Sequence, residues 1–351
     1  MIDAWRGAGG SLFVLAAVVW LAGPADVADV VEVPRDAPHV DVAAQNAACE
    51  GCHVPEALEW RASLHRASFR NDAFARSFAR EPEPFCQGCH APHADPNSPP
   101  PAWAAENGVT CVACHVEGGV VRAGGTARSH EPAPHPLRRG GDFDGAGACA
   151  SCHEFDFPVS IRHPPGRKMQ LTATEHARSE FAEVACAGCH MTGEAGRRDH
   201  RFVASRDPAL LRAAITVGAM RSAVDQVQLR LTPVGVGHAF PTGDLFRRIE
   251  LRVEARDAQG EMVAKTIRHL GRHFLPRQHT GPDAGRPDPV EQDDRLTAAT
   301  SVELVVPGAR AEHVLKWRVS YQRVDHRDSH DPERSSLAGE VVLAEGTLGP
   351  R

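Results

Sequence analysis

The sequence predicts two unlike parts in one chain: a mainly α-helical and irregular part, then an all-β sandwich of immunoglobulin-like type. Three observations carry this. All ten cysteines fall between residues 49 and 189. Aromatic residues are only 5% of the 351, against 31 glycines and 27 prolines, so the first two-thirds is poor in the large apolar side chains of an ordinary core. From about residue 224 onward, runs that alternate apolar and polar residues take over, and cysteine is absent.

Each cysteine belongs to a Cys-x-x-Cys-His segment, and there are five: Cys49, Cys52, His53; Cys86, Cys89, His90; Cys111, Cys114, His115; Cys149, Cys152, His153; and Cys186, Cys189, His190. This is the attachment signature of c-type haem. On a helical turn, two thiols three residues apart add across the porphyrin vinyl groups, and the next imidazole reaches the iron. Zinc sites and thioredoxin-like pairs also use Cys-x-x-Cys, but neither requires the histidine. Five disulfides between such near neighbours would make an odd framework. Five covalent haems are therefore expected, and as large flat apolar bodies they supply the core that the side chains lack. The motifs are spaced 37, 25, 38 and 37 residues apart without further likeness, so they are beads on a string and not a solenoid.

The expected layout is a signal peptide or N-terminal anchor over 1–25, a pentahaem cytochrome c domain over 40–205 and the β-sandwich over 222–351. The apolar run from Leu12 to Ala22 follows Arg6 and suits a signal-peptide core better than a membrane span. Export agrees with covalent haem attachment, so a periplasmic or extracytoplasmic location is expected. The net charge of −6 excludes a strong nucleic-acid footprint.

Within the first part, residues 54–80 read as one helix, with Leu58, Ala62, His65 and Phe69 on a single face. Thr172 to Glu175 reads as a capping box opening a helix that carries His176. Residues 116–148 read as coil. In the second part, strand-like runs lie at 227–234, 248–270, 300–307, 313–324 and 339–348, with a hairpin turn at Asp257 to Gly260 and a long polar loop over 279–294.

Each iron has one histidine from its own motif, and the sixth position decides between electron transfer and substrate binding. His65, His135, His176, His200 and His238 are the candidate distal ligands. His65 shares an apolar helix face, His135 is held between prolines, His176 sits on the capped helix, His200 follows the fifth motif in RRDHRF, and His238 lies in a Gly/Pro turn. His130 rivals His135, and His93 and His163 are reserves. His269, His273, His279, His313, His326 and His330 read as surface or strand positions. Met169 is a weaker thioether candidate, and Met191, directly after His190, cannot turn to the opposite face.

The segments EWRASLH, GVTCVACH, CHEFDFP, MQLTATEHARS, CAGCH, DHRF and GHAFPTGDLFRRIEL together resemble bacterial multihaem c-type cytochromes with a C-terminal β-sandwich. These are related to the superfamily of pentahaem nitrite reductases and octahaem hydroxylamine oxidoreductases. The resemblance spans roughly residues 45–260. It implies haems stacked in close parallel and perpendicular pairs, with His65, His200 and His238 at positions of ligation or haem contact. Two catalytic devices of those enzymes are missing. No motif histidine is replaced by lysine, and the single tyrosine, Tyr321, falls in the β part.

The expected function is therefore electron transfer through five haems, with a membrane quinol oxidase or reductase and other cytochromes as partners. The alternatives are an oxidoreductase of small nitrogen or sulfur oxyanions with one open haem, Arg197, Arg198 and Arg201 orienting the anion, and a subunit of an extracellular cytochrome filament.

Overall fold

Each cysteine pair of the first part lies on its own short helical segment. The computed structural model describes residues 41–125, 133–156, 168–194, 197–274, 290–328 and 331–351. The expected leader over 1–25 and His130, His163, His279 and His330 lie outside them. The described residues belong to one unit, Asp41–Arg351.

All five motifs are helical across their cysteines: Val42–Cys52, Pro84–Cys86 running into Gln87–His90, Cys111–His115, Gly147–His153 and Cys186–His190. A three-residue step on a helix puts both thiols on one face, and the histidine ends the helix or caps it. The sequence supplies the starts. The Asp41 carboxylate accepts from Ala44 N (3.1 Å), and Thr110 Oγ1 accepts from Ala113 N (3.2 Å).

Three sequence expectations fail here, for local reasons. The single helix over 54–80 is broken into Val54–Arg61 and Asp72–Arg80 with turns between. Ser63 Oγ accepts from Arg66 N (3.2 Å), and Asn71 Oδ1 caps the second helix at Phe74 N (3.1 Å), so short polar side chains compete with the helical ladder. Leu58 is left 60% exposed, which the expected apolar face does not allow. The capping box is also absent. The helix Thr172–Ala177 has no side-chain cap, because Thr172 Oγ1 lies 3.0 Å from Thr242 Oγ1 and Glu175 reaches away to the 239–242 turn. The stretch read as coil after the third motif contains short strands Val116–Glu117, Val120–Ala123 and Leu137–Arg139.

The second part is two antiparallel sheets over one core. The larger runs in the order Val290–Asp293, Met262–Phe274, Arg247–Arg256, Val314–His326, Ser336–Leu348; the smaller in the order Thr300–Val305, Gln226–Pro233, Ile215–Ala223. Period-two alternation sends Val227, Leu229 and Leu231 of one sheet and Leu251, Val253, Leu315 and Val319 of the other into that core, each fully buried. The strand Val290–Asp293 lies inside the stretch read as a long loop, and its backbone is paired along Met262–Phe274. Leu251→Ala is expected to cost the sheets about 2–5 kcal/mol, read by chemical denaturation, because the site is packed by both sheets and cannot collapse.

Contacts between the parts fix the site. Arg272 donates to Lys168 O (2.9 Å) and Met169 O (3.2 Å), Arg295 pairs with Glu175 (2.6 Å), and Arg76 Nε donates to Asp325 (3.3 Å). No helix of the described residues is long and apolar enough to cross a membrane.

Candidate haem-binding site

Four motif histidines each face a second histidine at nearly one separation. Ring centroids lie 6.4 Å apart for His53 and His135, 6.3 Å for His153 and His65, and 6.2 Å for both His115 with His200 and His190 with His238. A metal–imidazole bond is about 2 Å and a ring nitrogen lies roughly 1.1 Å from its ring centre, so two imidazoles trans on one metal have centroids about 6.3 Å apart. The separation of each pair is the one a shared metal would set. Among the described residues, no group of three or more His, Cys, Asp or Glu converges. Each pair offers two nitrogens, which is what a planar four-nitrogen macrocycle leaves a protein to supply.

The protonation pattern fits as well. His115 Nδ1 donates to Arg122 O (2.8 Å), His190 Nδ1 to Val203 O (3.0 Å), His200 Nδ1 to Arg198 O (3.0 Å) and His238 Nδ1 to Ala239 O (3.0 Å). His153 Nδ1 faces Gln170 Oε1 at 3.3 Å, and His90 Nδ1 donates to Ser68 O at 2.8 Å. Each such bond fixes the tautomer that leaves Nε2 free to bind a metal. Burial pushes the pKa of His65 down to about 4 and also lowers those of His90, His115, His153, His200 and His238, keeping the rings in the neutral, ligating form. His65 Nδ1 is buried with no hydrogen-bond partner, an orphan that a metal-bound ring nitrogen would explain.

His176 is not brought to a motif histidine. It sits beside Gly237, whose turn presents His238 to His190 in its place. Its neighbour Glu175 holds that turn, accepting from Thr242 Oγ1 (2.6 Å) and Ala239 N (3.3 Å). The second motif thus has no partner imidazole among the described residues. Its His90 ring is stacked on Phe74 at 3.7 Å. His93, a reserve candidate, instead bonds Thr110 Oγ1 (2.9 Å), and Met169 lies on the strand Lys168–Leu171. His269, His273 and His313 have protein partners in Glu250, Asp294 and Arg310 N.

The arginines proposed to orient an anion are engaged with the protein. Arg197 grips Glu59 with both guanidinium nitrogens, Arg201 pairs with Asp199, and Arg198 donates to Ala187 O (2.9 Å). Glu59 also accepts from His200 N (2.9 Å), so it places a distal-ring residue, and the Arg197 guanidinium lowers its pKa. Sequence reading missed Glu59 and the carbonyls behind the imidazoles, and gave Glu175 to a capping box and not to the 239–242 turn; backbone acceptors have no sequence signature, and both carboxylates act across long sequence separations.

None of the ten cysteines is in a disulfide. Cys89 lies beside Cys152, and Cys149 beside Cys186. Cys114 is near Cys152 and Cys149, and Cys49 is near Cys111. The motifs therefore adjoin in the order first, third, fourth, with the second and fifth both beside the fourth.

A family model described as cytochrome c554 and c-prime matches residues 48–116, the span of the first three motifs. A penta-heme cytochrome c552 from Thermochromatium tepidum superposes with a TM-score of 0.64 at 20% identity, over 86% of this chain and 97% of that one. The chain has the fold of a multihaem cytochrome c. A glycosyl hydrolase family 2 member from Bacteroides cellulosilyticus and a β-glucuronidase of that family match only in part, with TM-scores of 0.18 and 0.17, identities of 9% and 12%, and coverage of 40% of this chain and 14% and 11% of theirs. No curated protein matches.

Proposed function

We propose that the chain carries five c-type haems, four of them ligated by the pairs His53/His135, His115/His200, His153/His65 and His190/His238, and that it conducts single electrons between extracytoplasmic redox partners. The observation that carries this reading is the common 6.2–6.4 Å spacing of those four ring pairs. When bound, the haem supplies a one-electron iron couple. The residues of the chain hold His65, His115, His153, His200 and His238 neutral by burial and orient His115, His190, His200 and His238 through Nδ1, which tunes the potentials. The adjoining motifs support a branched path with the fourth haem as its junction. Partners of this reading are a membrane quinol oxidase or reductase and other cytochromes, in the periplasm, with the two-sheet, immunoglobulin-like part as a docking or spacing module.

A second reading is favoured at one place. With no described imidazole opposite His90, the second haem is the one to take a small external ligand. Electron paramagnetic resonance of the oxidised protein tests both. At least four low-spin haems are expected, and a stoichiometric high-spin signal that converts on adding cyanide marks the second haem as open. Five low-spin signals indifferent to cyanide leave the conductor reading alone, and high-spin signals from several haems refute the pairing.

A further inference from the structure

A nearly buried ion pair joins the larger sheet to the helix that precedes the fifth motif. Arg295, two residues past the strand Val290–Asp293, meets Glu175 on the helix Thr172–Ala177 at 2.6 Å. The two side chains are only 6% and 12% exposed. Desolvating such a pair offsets much of its attraction, so it is poor evidence of added stability and better evidence of a fixed arrangement. Asp293 holds the same guanidinium, accepting from Nε (2.9 Å) and Nη2 (2.8 Å).

What the pair fixes is the turn that presents His238. Glu175 Oε2 accepts from Ala239 N (3.3 Å) and Thr242 Oγ1 (2.6 Å), so one carboxylate spans residues 239–242. Arg295 Nη1 donates to Pro241 O (3.3 Å) inside the same turn. Next to Arg295, Leu296 exchanges backbone hydrogen bonds of 2.8 and 2.9 Å with Phe240. On the other flank, a side chain at Gly237 would meet Phe181 at 3.0 Å and His176 at 3.2 Å. The Ala239 carbonyl then accepts from His238 Nδ1 (3.0 Å). Hydrogen bonds thus run from Arg295 through Glu175 and the Ala239 backbone to the imidazole. The ring planes show the outcome. His238 lies within 9° of parallel to His190, whereas the other three facing pairs are tilted by 41°, 49° and 85°.

We propose that Arg295, acting through Glu175, is a positioning residue that sets His238 against His190, so that the sheet part governs ligation of the haem attached at Cys186 and Cys189. This rests on the His190/His238 ligation proposed above. The sheets then present an axial ligand, a task beyond docking or spacing. A bond to the outer nitrogen of a ligating imidazole fixes its orientation and tunes the metal. Parallel imidazole planes donate into the same iron d orbital and split the d levels, which gives a rhombic low-spin signal. Rotated planes leave those levels close and give a broad, strongly anisotropic one.

The test is electron paramagnetic resonance of the full haem-loaded, oxidised protein. His238→Ala identifies the signal: one rhombic low-spin signal is expected to disappear. If every low-spin signal persists in His238→Ala, the ligation proposed above fails, and this inference with it. Arg295→Gln is expected to turn that same signal strongly anisotropic or high-spin, with the others in place. Arg295→Lys, which keeps a charge opposite Glu175, is expected to restore most of it. Glu175→Ala should alter the same signal, and decides the matter alone if Arg295→Gln fails to fold, because Glu175 lies outside the core of the sheets. Arg76→Gln breaks a different contact between the parts and should leave the signal intact, which separates positioning from general loosening. A signal unchanged in either folded variant, Arg295→Gln or Glu175→Ala, overturns the proposal. So does its equal loss in Arg76→Gln.

Discussion

Protein made with all ten cysteines changed to serine is expected to lose order across residues 41–205 while its two sheets stay folded. In that first part the buried apolar residues, among those described, are Ala57, Trp60, Ala91, Ala104 and Val112. Ordering a residue's backbone costs about 1–2 kcal/mol, and burying even a large apolar side chain returns only about 1.5–3 kcal/mol. Five side chains, three of them alanine, cannot offset the ordering of so many residues. The sheets have their own continuous cluster from Leu211 to Leu343 and do not depend on the cofactor. Limited proteolysis read by mass spectrometry should cut the serine variant throughout the first part and spare residues from about 215 onward, while the haem-loaded protein resists in both. Equal resistance of both parts without haem would show that the first has a core of its own.

The second large effect is expected at the junction haem. Replacing His65 by methionine keeps a ligand opposite His153 but exchanges an imidazole for a thioether, which favours the ferrous iron. Axial ligation sets haem potentials over a span of ~0.8 V, so a rise on the order of 0.1 V is expected for one haem, with the other four unmoved. Electrons would then collect on the fourth haem, and transfer between the branches would slow. His93→Met is the control: His93 bonds Thr110 and faces no motif histidine, so its five potentials should match those of the unaltered protein. A His65→Met protein with unchanged potentials would remove His65 from the ligand set.

The helical turns at the five Cys-x-x-Cys-His segments were legible because the pattern is local: the thiol spacing and the following histidine lie within one turn. The strands at 227–233 and 314–324 were legible for a similar reason, since period-two alternation is a short-range pattern with one buried face. The facing of histidines across the chain is a different kind of observation. His135 reaches His53 and His65 reaches His153 across some 80 to 90 residues, and only their surroundings hinted at it. His176 shows where such hints break down: a sound helix signal did not reveal that the next turn of chain would put His238 opposite His190. The helix expected over 54–80 failed because Ser63 and Asn71 bond the backbone locally.

The central claim is that each of the five thiol pairs carries a covalent haem with its motif histidine on the iron. Intact-mass measurement of the protein matured in a host that attaches c-type haem tests it most directly. Five added haem masses per chain are expected, retained after acid–acetone extraction because thioether bonds survive it. A chain mass without added haem, or a cofactor that the extraction removes, would contradict the claim.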